Sequence, residues 1–139
     1  MSYLVDTNVI SELRKGRRCN QHVTAWFAEV PDNEIYLSVL VIGEIRCGIE
    51  RLRRRDQPSA DAIESWLTKV VNRHGDRILG VNREVAEEWG RMNSARPLST
   101  VDSLLAATAK VHKLTLATRN TEDIATTGAK HFNPFKGAP

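Results

Sequence analysis

Four short stretches of this sequence carry acids that ordinary surface pairing does not explain. "YLVDTN", residues 3–8, drives three apolar residues into Asp6. "SVLVIGEIRCG" holds Glu44, "LSTVDSLLAATAK" holds Asp102, and "LATRNTEDI" holds Asn120 and Asp123. Other acids have a helical cation three or four residues away: Glu12 has Lys15, Glu50 has Arg46 and Arg54, and Glu87 has Arg91. Glu44 has only Leu40, Val41, Cys47 and Gly48 at those offsets, and Asp102 only Leu98, Ser99, Leu105 and Ala106. An ionised carboxylate buried without a partner is costly, so it needs a group from another element, a metal ion or a raised pKa.

Each acid also has a plain structural explanation. Asp6 can cap the helix that starts near Thr7 or Asn8. Ser99 and Asp102 have capping-box spacing, and a shift of helix phase would leave Glu44 at a solvent rim. Asn120 can cap a short helix whose first turn Asp123 reinforces. Position separates these readings. If the strands before Asp6 and Arg119 are parallel neighbours, three or four carboxylates meet at the rim where open parallel sheets bind ligands. Such a cluster needs a countercharge, and a hard divalent cation, Mg²⁺ or Mn²⁺, suits oxygen ligands. Zinc fits poorly, because His22, His74, His112 and His131 are scattered singly along the chain.

The elements that must position these groups read as an α/β domain with a mostly parallel central sheet flanked by helices. Short apolar runs at 3–6, 34–38, 77–81, 114–118 and 130–132 alternate with helical patterns at 9–14, 21–30, 39–54, 60–73, 83–95 and 100–112, with a short helix after Asn120. Pro58 and Ser59 are expected to break the middle into a helical hairpin, roughly residues 39–73, able to receive a partner helix or a second subunit. No repeat or linker interrupts the 139 residues, so one domain is expected over 1–139. With 41% hydrophobic and 27% charged residues the composition is that of a folded globular chain. No apolar run is long enough to span a membrane, and the N-terminus lacks the pattern of a secretory signal. Two cysteines outside any CxxC pair read as reduced thiols, so a cytoplasmic location is expected. The net charge is +3, concentrated at residues 14–18 and 51–55; the second run is either a solvated helix face or a surface for nucleic-acid phosphates through Arg51, Arg53 and Arg54. Trp26, Trp66 and Trp89 fall in helical patterns and read as core or interface.

In their order and spacing, "YLVDTNVISEL", "LSVLVIGEIRCGI", "LSTVDSLLAATAK" and "LATRNTEDI" resemble the PIN-domain ribonucleases, and among them the VapC/FitB-type toxins of bacterial toxin–antitoxin pairs. The closing "GAKHFNPF" is similar to that group's C-terminal strand and tail. The resemblance implies a metal-dependent endoribonuclease, commonly a homodimer and inhibited by a cognate antitoxin protein. It assigns Asp6, Glu44 and Asp102 to the principal acidic positions and Asn8 and Thr118 to polar support. Asn120 stands where some members carry a fourth aspartate, with Asp123 three residues on. The expected chemistry is RNA phosphodiester hydrolysis, with Asp6 and Asp102 holding the principal Mg²⁺. Glu44 would hold a second ion or a bound water, and Asn120 or Asp123 would orient outer waters.

Two other classes are open on the sequence. An aspartate at the first strand end also suits an aspartyl-phosphate phosphatase, although Asn8 stands where that family uses a second aspartate. A non-enzymatic nucleic-acid-binding module would use all these acids as caps.

Overall fold

The computed structural model describes residues 1–95 and 97–137. Five strands, β1 (Tyr3–Val5), β2 (Ile35–Ser38), β3 (Ile78–Leu79), β4 (Thr115–Ala117) and β5 (His131–Phe132), form one sheet in the order β3-β2-β1-β4-β5, with every pairing parallel. Strands β1 and β4 lie side by side within the sheet, and each is buried at every residue. That complete burial is why β1 reads as an unbroken apolar run; β4 instead carries the buried Thr115 between Leu114 and Leu116.

The order places β2 and β3 on one side of β1 and β4 and β5 on the other. The chain's switch of direction therefore lies between β1 and β4, where Leu4 sits in register with Leu116. Crevices beyond the carboxyl ends of strands at such a point are the natural ligand sites of open parallel sheets. Asp6 follows β1 there, and Thr118 follows β4.

Seven helices, α1 (Thr7–Leu13), α2 (Gln21–Glu29), α3 (Val39–Arg53), α4 (Gln57–His74), α5 (Arg83–Asn93), α6 (Thr100–His112) and α7 (Thr121–Ala125), cover the sheet. Six begin at a residue whose side chain accepts from a first-turn N–H: Asp6, Asn20, Ser38, Asp56, Asn82 and Ser99. Behind them Leu4, Leu37, Leu105, Leu116 and Ile124 are almost fully enclosed. An aromatic cluster closes one end of the core, with Tyr3, Trp26 and Phe132 edge to face at 5.2–5.4 Å.

The helical hairpin exists, but Pro58 does not break it. The turn lies two residues earlier, Asp56 caps α4 by accepting from Ser59 N–H, and Pro58 stands inside the first turn of α4. A proline there loses nothing, because the first amides of a helix have no partner within it. Arg46 and Arg53 of α3 pair with Glu64 of α4, and Arg53 also reaches Asp61, so ion pairs bridge the two helices. These are exposed groups and stabilise little individually.

The helix that carries Asp102 is held by its neighbour. Trp89 Nε1 of α5 donates to Ser103 Oγ at 2.9 Å, and Ser103 Oγ donates in turn to Ser99 O at 2.8 Å. Lys110 adds a second link by pairing with Glu88 at 2.9 Å. All three tryptophans serve packing: Trp26 is buried, and Trp66 and Trp89 are half-buried. Trp89→Phe removes one hydrogen bond, from a half-buried indole to the buried Ser103 hydroxyl. The expected cost is about 1 kcal/mol, read as a lower urea midpoint with an unchanged slope.

A candidate carboxylate site

Asp6 is the fixed point of the site. Only 5% of its surface is exposed. Its Oδ1 accepts from Thr7 N–H at 2.7 Å, and its Oδ2 accepts from the Thr118 hydroxyl at 2.7 Å and more distantly from Asn8 Nδ2 at 3.4 Å. Asp6 is thus a helix cap and a site residue together. Burial raises its pKa above the ordinary aspartate value, the bonds from Thr118 and Thr7 oppose the rise, and the negative charges of Asp102 and Glu44 add to it. The carboxylates of three separate elements therefore act on one another.

Asp102 does not use its carboxylate as a cap. Ser99 supplies the cap, accepting from Asp102 N–H at 3.3 Å, while Asp102 Oδ2 accepts from Asn120 Nδ2 at 2.8 Å. Asn120 Nδ2 also donates to Asp123 Oδ2 at 3.2 Å, and its side chain makes no capping bond to α7. Asn120 thereby stands between two carboxylates as a neutral donor, in a position where a fourth acid would repel both. Its backbone N–H donates to Thr118 Oγ1 at 3.1 Å, so the hydroxyl that serves Asp6 is itself oriented.

Glu44 is exposed, which corrects the expectation that it is buried. The phase of α3 turns Val41 and Ile45 inward and leaves Glu44 at the rim. It is still tied to the cluster, because Thr7 Oγ1 donates to Glu44 Oε1. Thr7 and the amide of Asn120 are the two connections that the sequence reading missed. Thr7 follows Asp6 directly and shows no periodic signal, and the Asn120–Asp102 contact exists only once two separate elements meet.

The remaining candidates are placed as follows. Asn8 Oδ1 accepts from Arg119 N–H at 3.2 Å, which joins the start of α1 to the segment after β4. Asp123 is exposed on α7 and reaches the cluster through Asn120. Arg53 is engaged by Glu50, Asp61 and Glu64, whereas Arg51 in the last turn of α3 and Arg54 at its C-terminal cap are exposed. The histidines stand apart from the acids: His74 is buried with Nδ1 against Val70 O, and His131 has Nδ1 against Ala129 O.

The donor set is all oxygen, with no histidine or thiol in it, which matches a hard divalent cation. Among the described residues no group of three or more His, Cys, Asp or Glu side chains is arranged to hold one ion. Magnesium does not require three, since it commonly keeps several waters and takes one or two carboxylates. A buried carboxylate strained by two like charges is the feature that such an ion relieves.

Known proteins share this fold. The family model for the PIN domain matches residues 3–129. Toxin FitB of Neisseria gonorrhoeae is 31% identical over 137 residues, covering 95% of this chain and 97% of that protein. VapC ribonuclease Y4jK of Sinorhizobium fredii is 27% identical over 142 residues, covering 97% and 99%. The crystal structure of FitAcB from Neisseria gonorrhoeae superposes with a TM-score of 0.88 at 30% identity, covering 96% of this chain and 98% of that one.

The raised pKa of Asp6 has a definite sign. Above the ordinary aspartate range the folded protein carries an ionised Asp6 at a cost, and the cost disappears as pH falls through the raised value. In EDTA, the stability of Asp6→Asn relative to the parent should therefore be greatest near pH 7 and fall toward about pH 4. This comes on top of a pH-independent loss, because asparagine offers one acceptor oxygen to Thr7 and Thr118 instead of two. Urea midpoints of the two proteins across that range measure it. Added Mg²⁺ should raise the melting temperature of the parent and leave Asp6→Asn unmoved.

Proposed function

The chain belongs to the PIN-domain family, and on that footing we propose that it is the endoribonuclease toxin of a toxin–antitoxin pair, dependent on Mg²⁺ or Mn²⁺. The observation that carries the reading is Asp6, buried at the strand switch point with its charge opposed by Asp102 and Glu44. The related proteins named as a toxin and as a ribonuclease supply the class of activity.

In this reading Asp6 and Asp102 hold the principal ion. Thr118, Thr7 and Asn8 fix the two oxygens of Asp6, so the carboxylate meets its ligand already oriented. Asn120 fixes Asp102 through Oδ2, and Oδ1 has no hydrogen-bond partner among the described residues. Glu44, exposed at the rim and oriented by Thr7, is placed to accept a proton from an attacking water or to take a second ion. A bound divalent ion supplies neutralisation of the charge that develops on the phosphodiester and acidifies a water. Asp123 adds a carboxylate at the edge through Asn120 and orients outer water. The site acts on RNA in the cytoplasm, consistent with two free cysteines, and no helix among the described residues is long and apolar enough to cross a membrane.

The hairpin of α3 and α4 suits the protein partners. Val39, Ile42, Gly43, Leu67 and Val71 line a groove of about 440 Å³, and Val39 and Val71 are exposed. A cognate antitoxin segment or a second copy of the chain covers it, and Arg51 and Arg54 remain available for RNA phosphates.

The test is incubation of antitoxin-free protein with mixed transfer and ribosomal RNA in Mg²⁺, Mn²⁺ or EDTA, beside Asp102→Asn. Discrete fragments should appear with either metal and vanish in EDTA, and Asp102→Asn should lower the rate by at least about a hundredfold while keeping the fold. Intact RNA in every arm would overturn the proposal.

A further inference from the structure

We infer that Arg119 is a preorganised phosphate-binding residue that holds the RNA strand beside the carboxylate site; the inference rests on the ribonuclease reading above. Arg119 lies between Thr118, which donates to Asp6, and Asn120, which donates to Asp102. It is fixed at two points. Its backbone N–H donates to Asn8 Oδ1, and its guanidinium carbon sits 3.7 Å from the centroid of the Phe135 ring. The side chain is nevertheless exposed.

Several of the chain's other arginines are occupied. Arg46, Arg53, Arg73, Arg77 and Arg91 each pair with a carboxylate. Among the described residues Arg119 makes no ion pair and no side-chain hydrogen bond, so its donors face solvent while the ring holds the head. A guanidinium in that state gives up little rotamer freedom on binding, and its fork matches phosphate oxygens. A role limited to pinning the C-terminal turn is the weaker account. Asn133 already caps that turn by accepting from Phe135 N–H at 2.9 Å.

The surroundings extend the same chemistry. Glu12 pairs with Lys15 at 2.8 Å and feels the charge of Arg119. Past Lys15, an open hollow of about 360 Å³ is lined by Arg14, Lys15 and Arg18. The seven residues of α1, about 10 Å of helix, separate Asp6 from this hollow. Because the carboxylates repel a polyanion, attraction must come from the flank, and Arg119 is the cation nearest in sequence to the residues that contact Asp6 and Asp102.

The test is steady-state cleavage, with Mg²⁺, of a fluorescein-labelled single-stranded RNA oligonucleotide containing a site the parent protein cuts, over a range of NaCl. Arg119→Ala should raise KM about tenfold while kcat stays within about threefold. The slope of log KM against log salt should become shallower by about 0.7, the share of one single-strand phosphate contact. Arg119→Lys should keep the parent's salt slope and recover part of the KM, and both variants should melt within about 2 °C of the parent. Unchanged KM and slope in Arg119→Ala would overturn the inference. So would a lowered melting temperature with a lost slope that lysine does not restore. If the parent cuts no RNA, the ribonuclease reading falls first; parent cleavage with an indifferent Arg119→Ala overturns this inference alone.

Discussion

The hydrogen bond from Thr118 to Asp6 spans 112 residues of sequence and is the joint on which the site depends. It couples the ends of the two central strands where the sheet changes direction, and it does so with a neutral donor. A cation there would neutralise Asp6 and leave no electrostatic reason for a metal to bind. A hydroxyl orients the carboxylate while leaving most of its charge in place. The same economy governs Asn120, whose amide satisfies Asp102 and Asp123 without adding a positive charge.

The rest of the molecule reads as support for that arrangement. Burial of β1 and β4 fixes the strand ends, and capping by Asp6 starts α1 so that Thr7 faces Glu44. Trp89 and Ser103 hold the first turn of α6, which sets Asp102 against Asn120. Positive charge is kept away from the carboxylates themselves and placed on their flank, at Arg119 and along the loop after α1. In the proposed function, attraction of a polyanion and binding of a cation would be served by different residues, so neither charge would cancel the other.

Much of this was legible in the sequence, for reasons that differ from residue to residue. Strand β1 stood out as an uninterrupted apolar run, whereas β4 was read from the short run 114–118, where Leu114, Leu116 and Ala117 stand among threonines. Helix α6 runs over Thr100–His112 as expected, since Ser99 is a strong cap. Glu44 and Asp102 were singled out by the lack of any helical cation and Asp6 by its place at the end of an apolar strand, and the structure lets all three influence one titration. The argument for Glu44 was nevertheless wrong in part, because an absent partner does not imply burial. Pro58 misled because residue type alone does not say whether a proline ends a helix or begins one. The links through Thr7 and Asn120 were not legible, because each depends on elements meeting in space.

The long span between Asp6 and Thr118 also has a bearing on how the chain is made. Synthesis runs from the N-terminus, so β1 and Asp6 leave the ribosome long before β4 exists. Until residue 118 has emerged, the edge of β1 that β4 will occupy is open, and the carboxylate lacks the hydroxyl that orients it. The site is therefore a late product of translation. A nascent chain carrying Asp6, Glu44 and even Asp102 is still an incomplete enzyme beside ribosomal RNA, and only the last part of the sequence closes it.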